Sequence, residues 1–148
     1  MRTILGFVLA LAVASGAAAG QTSYFRSDAN KALARPFSDA VEVGGVLYIS
    51  GQIGAAPGQP DPVKGGIEPE TAQVMENIGA VLKARGLTYD SVFKCTVMLA
   101  DMSKWGEFNT VYVRYFKPDR LPARSAFGAN GLARGASVEL ECWANASR

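Results

Sequence analysis

Arg124 is the side chain in this sequence best suited to hold an anionic ligand. It lies in residues 122–127, Pro-Ala-Arg-Ser-Ala-Phe, which are typical of a short extended segment after a proline. An arginine is an uncommon choice among apolar residues in a short strand. Its guanidinium can hold a carboxylate by two parallel, charge-assisted hydrogen bonds. The alternative is a surface salt bridge to Glu139 or Glu141, since such pairs are common and weak.

Glu139 is the candidate for acid–base chemistry. Along residues 137–144, apolar residues alternate with Glu139, Glu141 and Trp143, which predicts a strand with one buried face. A carboxylate beside an arginine-held substrate could orient or deprotonate water, and the alternative is an ordinary solvated strand residue. The sequence has no histidine, which excludes a Ser-His-Asp triad, a Cys-His pair and histidine metal ligands.

Three further residues are weaker candidates by their own chemistry. Gly51 ends a predicted strand in Ser-Gly-Gln, where the missing side chain would let a ligand approach the backbone. Asn109 lies on a predicted helix, where a surface or capping role is the default. Phe37 follows a proline, and packing is its default role.

Cys95 and Cys142 are the two cysteines of the chain. They are too far apart in sequence to form a metal site by themselves. We expect both to be small, buried, apolar strand residues. A disulfide is the alternative, and we favour it less because the geometry it needs is narrow.

The first residues have the layout of an export signal. A basic start is followed by an apolar run over residues 4–14 and then by small residues up to Gly20. This predicts a secretory signal peptide over residues 1–19, cut after Ala19 or alternatively after Gly20. An N-terminal membrane anchor is the alternative, and we favour it less because the apolar run is short for a bilayer and is followed by small residues. The mature protein would then be periplasmic or secreted, with no membrane attachment. It would contain 14 basic and 13 acidic residues. Without a basic block, a dedicated nucleic-acid binder is disfavoured.

The remaining elements predict one α+β domain. Residues 20–35 show no clear period and are expected to be an irregular lead-in to a domain over residues 36–148. Beyond them the order is β-β-α-β-α-β-β, with a hairpin around Gly44 and Gly45. Both helices have an apolar stripe and should pack on one face of a mixed sheet. The other sheet face, which carries Glu139 and Trp143, indicates self-association.

The order of these elements and several motifs together resemble the RidA/YjgF (reactive intermediate deaminase) family over residues 36–144. The most specific pair is Pro-Ala-Arg-Ser at residues 122–125 followed by Val-Glu-Leu-Glu at residues 138–141. The other matching segments are Pro-Phe-Ser-Asp-Ala at 36–40, Ser-Gly-Gln at 50–52, Lys-Cys-Thr-Val at 94–97 and Phe-Asn at 108–109.

The resemblance implies a fold and an activity. The fold would be chorismate-mutase-like (bacillus type), in homotrimers whose sheets form a central barrel with sites between subunits. The reaction would be hydrolysis of small 2-imino acids, or their enamine tautomers, to 2-keto acids and ammonia without cofactor or metal. Carried over, Arg124 would bind the substrate carboxylate and Glu139 would position water. Gly51 and the Ala126 backbone would line the pocket, and Asn109 would support it.

Two positions depart from the family pattern. Phe37 stands where the family often has a tyrosine whose hydroxyl reaches the site, and Ala126 stands where it often has a cysteine. Both changes bear on rate and substrate preference, and they lend weight to a rival interpretation. In that rival, the same inter-subunit cleft holds a small carboxylate without turnover. An RNA-cleaving role, ascribed to some relatives, is disfavoured by the near-neutral charge, the missing histidine and the export signal.

Overall fold

The computed structural model describes residues 21–147, so the expected signal peptide lies outside the described residues. The described chain forms a mixed six-stranded sheet in the order β1-β2-β3-β6-β4-β5. Its strands are β1 (Ser23–Phe25), β2 (Ala40–Val43), β3 (Val46–Ile53), β4 (Val92–Leu99), β5 (Ala123–Gly128) and β6 (Val138–Asn145). Its α-helices are α1 (Asp28–Ala32), α2 (Ile67–Ala84) and α3 (Trp105–Tyr112).

From β2 onward, the element order confirms the predicted β-β-α-β-α-β-β arrangement. The β2–β3 hairpin turns at Gly44 and Gly45, which have φ angles of 58° and 76°. Two consecutive positive φ angles are the geometry of a tight hairpin turn, which glycine adopts without steric cost. Strand β5 pairs with β4 in parallel, whereas the other strand pairs are antiparallel.

Helices α2 and α3 cover one face of the sheet, as predicted. Met75 and Ile78 of α2 and Phe108 of α3 are completely buried against strand residues such as Leu140. Burying a side chain of this size stabilises the fold by roughly 1.5–3 kcal/mol. Helix α2 ends before Gly86, whose φ of 72° allows the chain to leave the helix.

The expected irregular lead-in is wrong in part, because residues 23–25 form β1 and residues 28–32 form α1. Both elements are too short to show a period, and tertiary contacts hold them. The buried Asp39 carboxylate accepts a hydrogen bond from the Ser27 backbone N–H at 2.6 Å and another from the Asn30 amide. This carboxylate therefore anchors α1 to the start of β2.

The preference for two unbonded cysteines is also wrong. Cys95 on β4 and Cys142 on β6 are both completely buried, as expected, but they form a disulfide. The two strands are antiparallel neighbours and place these residues directly opposite each other, with Cα atoms 4.1 Å apart. This long-range strand register, which was not visible in the sequence, brings the thiols together.

Within the described part of the chain, no helix covers the second sheet face, which carries aromatic side chains. The Tyr48 and Trp143 rings meet edge to face with centroids 5.0 Å apart, and Phe93 lies beside Trp143 at 6.5 Å. Phe127 on β5 is half exposed. We call Tyr48, Phe93 and Trp143 the open-face aromatic cluster. Over residues 21–147, the helices include none with the length and apolar character to cross a bilayer.

Candidate functional site

The Arg124 side chain lies on β5 beneath the aromatic residues of α3. Its guanidinium carbon is 4.5 Å from the centroid of the Trp105 ring and 4.8 Å from that of Tyr112. Its Nη1 donates a hydrogen bond to the Asn109 side-chain oxygen at 2.8 Å. These cation–π contacts and the hydrogen bond hold the guanidinium plane in one orientation. Asn109 therefore supports the arginine directly.

The structure contradicts the surface salt-bridge interpretation of Arg124. Among the described residues, no carboxylate lies within salt-bridge distance of its guanidinium. Arg124 is in register with Cys95, which is in register with Cys142, so its side chain lies on the helix-covered face. Glu139 alternates with the buried residues of β6 and projects from the opposite, open face.

Glu139 is half-buried on the open face, and its surroundings favour the protonated acid. Burial raises the pKa of the Glu139 carboxyl above its usual range, and the neighbouring Glu141 charge raises that pKa further. A raised pKa makes the ionised form a stronger base, which suits a group that takes a proton from water. Perturbed carboxyls of this kind are enriched at functional sites.

Gly51 lies directly against the Glu139 carboxyl. A methyl group on Gly51 would overlap the Oε1 atom of Glu139 and would lie 3.1 Å from its Cδ. The pairing of β3 with β6 is irregular between Ile49 and Gln52, so the glycine lies at a bulge. Glycine is therefore needed here because the Glu139 carboxyl lies against its backbone, whereas the sequence suggested that a ligand would approach at this position.

A cavity of about 510 Å³ opens beside these residues. Phe37, Gly51 and Glu139 are all in its wall. Phe37 is 42% exposed, so it is not the packing residue expected from its position, and its ring lies 5.9 Å from the Arg35 guanidinium carbon.

The six predicted site residues fall into two groups within one chain. Phe37, Gly51 and Glu139 line the cavity, whereas Arg124, Asn109 and Ala126 do not. Ala126 lies two residues beyond Arg124 on β5 and packs partly buried against the core on the helix-covered face. Because β5 is an edge strand, alternate backbone N–H and C=O groups along it have no strand partner. One chain thus holds Arg124 and Glu139 in two separate places.

The aromatic residues around Arg124 were not predicted as part of the site. Trp105 and Tyr112 are spaced by seven residues on α3, a helix that the sequence analysis expected only to pack on the sheet. Burial raises the pKa of Tyr112 to about 12, so this phenol remains neutral beside the arginine. The aromatic residues along α3 were the sequence signal that could have indicated an arginine-binding surface. Which strand residue they contact, however, is set by tertiary structure.

Comparisons with known proteins agree on one family. A family model described as Endoribonuclease L-PSP matches residues 28–146. The 2-iminobutanoate/2-iminopropanoate deaminase of Mus musculus is 44% identical over 106 residues, covering 72% of this chain and 78% of the mouse protein. The Homo sapiens protein of the same name is 42% identical, covering 72% and 77%.

Solved structures give the same result. A crystal structure of the Rid family protein YyfA from Yersinia pestis has 36% identity and a TM-score of 0.78, covering 84% of this chain and 99% of that one. RidA from an Antarctic Psychrobacter has 32% identity and a TM-score of 0.71, covering 86% and 98%. The match in sequence, in fold and in the order of the motifs leads to one conclusion: the chain belongs to the RidA/YjgF family.

Proposed function

We propose that this protein hydrolyses 2-imino acids, or their enamine tautomers, to 2-keto acids and ammonia at a site shared between two copies of the chain. The observation that carries the proposal is the placement of Arg124 and Glu139 on opposite faces of one sheet. Neither face of a single chain holds both groups, and a second copy can bring them together. The deaminase names of relatives at 42–44% identity support the reaction class.

Arg124 anchors the substrate carboxylate in this proposal. Its Nη1 is engaged by Asn109, and the remaining N–H groups of the fork are available for a carboxylate. The contacts with Trp105 and Tyr112 hold the guanidinium in place before the ligand arrives. Little side-chain freedom then needs to be lost on binding, which favours affinity and alignment.

Glu139 positions the attacking water. The water oxygen bonds to C2 of the imine while one of its protons passes to the Glu139 carboxylate and from there to the imine nitrogen. The hydroxyl proton of the resulting carbinolamine passes to the nitrogen, through the Glu139 carboxylate, as the C2–N bond breaks, which releases ammonia and leaves the keto group. Imine hydrolysis has a low intrinsic barrier, so alignment and one proton acceptor suffice for useful acceleration.

The second copy belongs to a homotrimer whose sheets close into a central barrel lined by the open faces, so that the β5 edge of one copy, which carries Arg124, adjoins a neighbouring copy. The open-face aromatic cluster is the surface that supports this arrangement, since exposed aromatic patches of this kind mark association sites. Gly51 and the Ala126 backbone would then line the substrate pocket from different subunits. Phe37 offers a ring edge in place of a hydroxyl. We therefore expect it to affect substrate preference more than it affects carboxylate binding by Arg124.

We further propose that the protein acts in the periplasm or outside the cell. Two observations support this location. The first residues have the layout of a signal peptide, and the Cys95–Cys142 disulfide is of a kind that persists in oxidising compartments.

The test is keto-acid release from imino acids generated in situ by an amino-acid oxidase. We expect wild-type protein to accelerate release, and both Arg124→Ala and Glu139→Gln to lose the acceleration. Unchanged release by Arg124→Ala would overturn the proposal. Tight binding of stable keto acids in calorimetry, without turnover by wild-type protein, would instead support the carboxylate-binding module.

Mixing the two inactive variants tests the shared site itself. If Arg124 and Glu139 come from different copies, a refolded mixture of Arg124→Ala and Glu139→Gln chains contains intact sites. About one quarter of the sites in a random equal mixture would be intact, so that fraction of wild-type activity should return. A mixture as inactive as its components would place both groups in one copy and contradict the shared site.

A further inference from the structure

The cavity beside Gly51 and Glu139 is much larger than a methyl or ethyl side chain requires. Its volume of about 510 Å³ lies within the range of roughly 300–1,000 Å³ typical of pockets for drug-sized ligands. It extends from the Glu139 carboxyl into the space between α1 and α2. A substrate held at the Glu139 end would therefore direct its side chain into this space.

The far walls of the cavity present several apolar side chains. Helix α1 and the residue after it contribute Ala29 and Leu33, and Leu33 is 46% exposed. Helix α2 contributes Ala80, Val81 and Ala84. Ala80 and Ala84 are four residues apart and thus lie on the same helix face, where their small side chains leave the cavity open.

Most polar groups in the wall are already paired within the protein. The Asp39 carboxylate accepts hydrogen bonds from Ser27 and Asn30. The Asn77 amide donates to the Ile53 and Ala55 carbonyl groups at 3.1 and 2.9 Å. A polar ligand group in this space would compete with those bonds, whereas an apolar group would need none of them.

A single cationic side chain, Arg35, is found in the cavity lining among the described residues. Its guanidinium carbon lies 5.9 Å from the centroid of the Phe37 ring. An acidic side chain on the ligand could pair with the Arg35 guanidinium. The imine derived from glutamate is therefore the alternative substrate to compare with apolar ones.

We propose that the cavity between α1 and α2 is the side-chain subsite and selects 2-imino acids with large apolar side chains, such as those derived from leucine or phenylalanine. This inference rests on the proposed function and narrows its substrate class. Removing such a side chain from water into an apolar pocket favours binding by an amount that grows with each methylene group.

The experiment compares imines generated in situ from leucine, phenylalanine, alanine, asparagine and glutamate. Asparagine is the informative control because its side chain has nearly the shape of leucine but carries a polar amide. We expect kcat/KM for the leucine and phenylalanine imines to exceed that for the alanine imine by about tenfold or more. The asparagine and glutamate imines should also be poorer substrates than the leucine imine.

Ala80→Leu fills the cavity and should lower the leucine-to-alanine ratio of kcat/KM at least tenfold. If Ala80→Leu fails to fold, Leu33→Ala is the second variant to measure. It removes an apolar side chain from the cavity wall and should lower the same ratio. Ala32→Leu is the matched control, because Ala32 is exposed on α1 and lies outside the cavity lining. Its ratio should equal that of wild-type protein.

The outcomes separate this inference from the proposed function. Hydrolysis of the alanine imine without preference for leucine would overturn the subsite and leave the deaminase intact. A preference for the asparagine or glutamate imine would overturn the apolar character of the subsite. No acceleration with any imine would overturn the deaminase proposal and the subsite with it.

Discussion

The Cys95–Cys142 disulfide is expected to contribute a large part of the stability of the fold. The two residues are 47 positions apart, so the bond closes a long loop that contains α3 and β5. A cross-link of this span lowers the entropy of the unfolded chain enough to stabilise the native state by about 4 kcal/mol. Since domains are typically stable by about 5–15 kcal/mol, this is at least about a quarter of the total.

The perturbation is the double variant Cys95→Ala/Cys142→Ala, measured by guanidinium unfolding with tryptophan fluorescence. All samples need the same protein concentration, because self-association would make stability depend on it. Alanine also removes two buried sulfur atoms, and the resulting small cavities add their own cost. Wild-type protein fully reduced in the unfolded state and refolded under reductant is therefore the control that keeps the sulfur atoms.

We expect the reduced wild-type protein to lose about 4 kcal/mol of unfolding free energy, and the double variant to lose somewhat more because of its cavities. Reductant should leave the double variant unchanged. A double variant within about 1 kcal/mol of oxidised wild-type protein would refute the reasoning. It would mean that the cross-link restricts the unfolded chain little, or that the two cysteines are not bonded in the protein.

Three further predictions concern Glu139 and its neighbours. Gly51→Ala should displace the Glu139 carboxyl and lower kcat on the order of 100-fold, while the melting temperature stays near that of wild-type protein. Gly106→Ala is the control, because a methyl group added there meets nothing within 4 Å. Equal kcat values in the two variants would contradict the prediction. Because the pKa of Glu139 is raised in the folded protein, its contribution to stability is present below the usual glutamate pKa and lost as pH rises through the folded value. Glu139→Gln should therefore raise the melting temperature at neutral pH, with the difference shrinking in acid, and a lower melting temperature at neutral pH would be the contrary result. Glu141→Gln removes the second cause of that raised pKa, so the acid limb of the kcat profile should move to lower pH, and a limb that stays in place or moves upward would show that Glu141 does not act on Glu139.

Features with a local period were predictable from the sequence. The apolar stripe of α2 and the glycine pair of the β2–β3 turn are each set by residues within a few positions of one another. The alternation along β6 likewise placed Glu139 on the face opposite the core. Short elements were not predictable, because α1 depends on the Asp39 carboxylate and β1 on pairing with β2 for their positions.

The candidate site was predictable in its residues but only partly in its geometry. The motif order identified Arg124 and Glu139, yet their relative placement depends on how β5 pairs with β4 and β4 with β6. A shift of one residue in either pairing would move Arg124 to the other sheet face. The same registers set Cys95 opposite Cys142. Because the registers were not known from the sequence, the disulfide was misjudged and the salt bridge of Arg124 was left undecided.

That shared register also connects stability with the proposed chemistry. The disulfide joins β4 to β6 in the layer that faces the helices, and β4 carries β5 with Arg124 while β6 carries Glu139. A covalent bond between these two strands opposes sliding of one against the other. In a shared site, each copy would supply an arginine and a carboxylate whose separation is fixed by that bond. Closure of the assembly would then align each Arg124 with the Glu139 of a neighbouring copy.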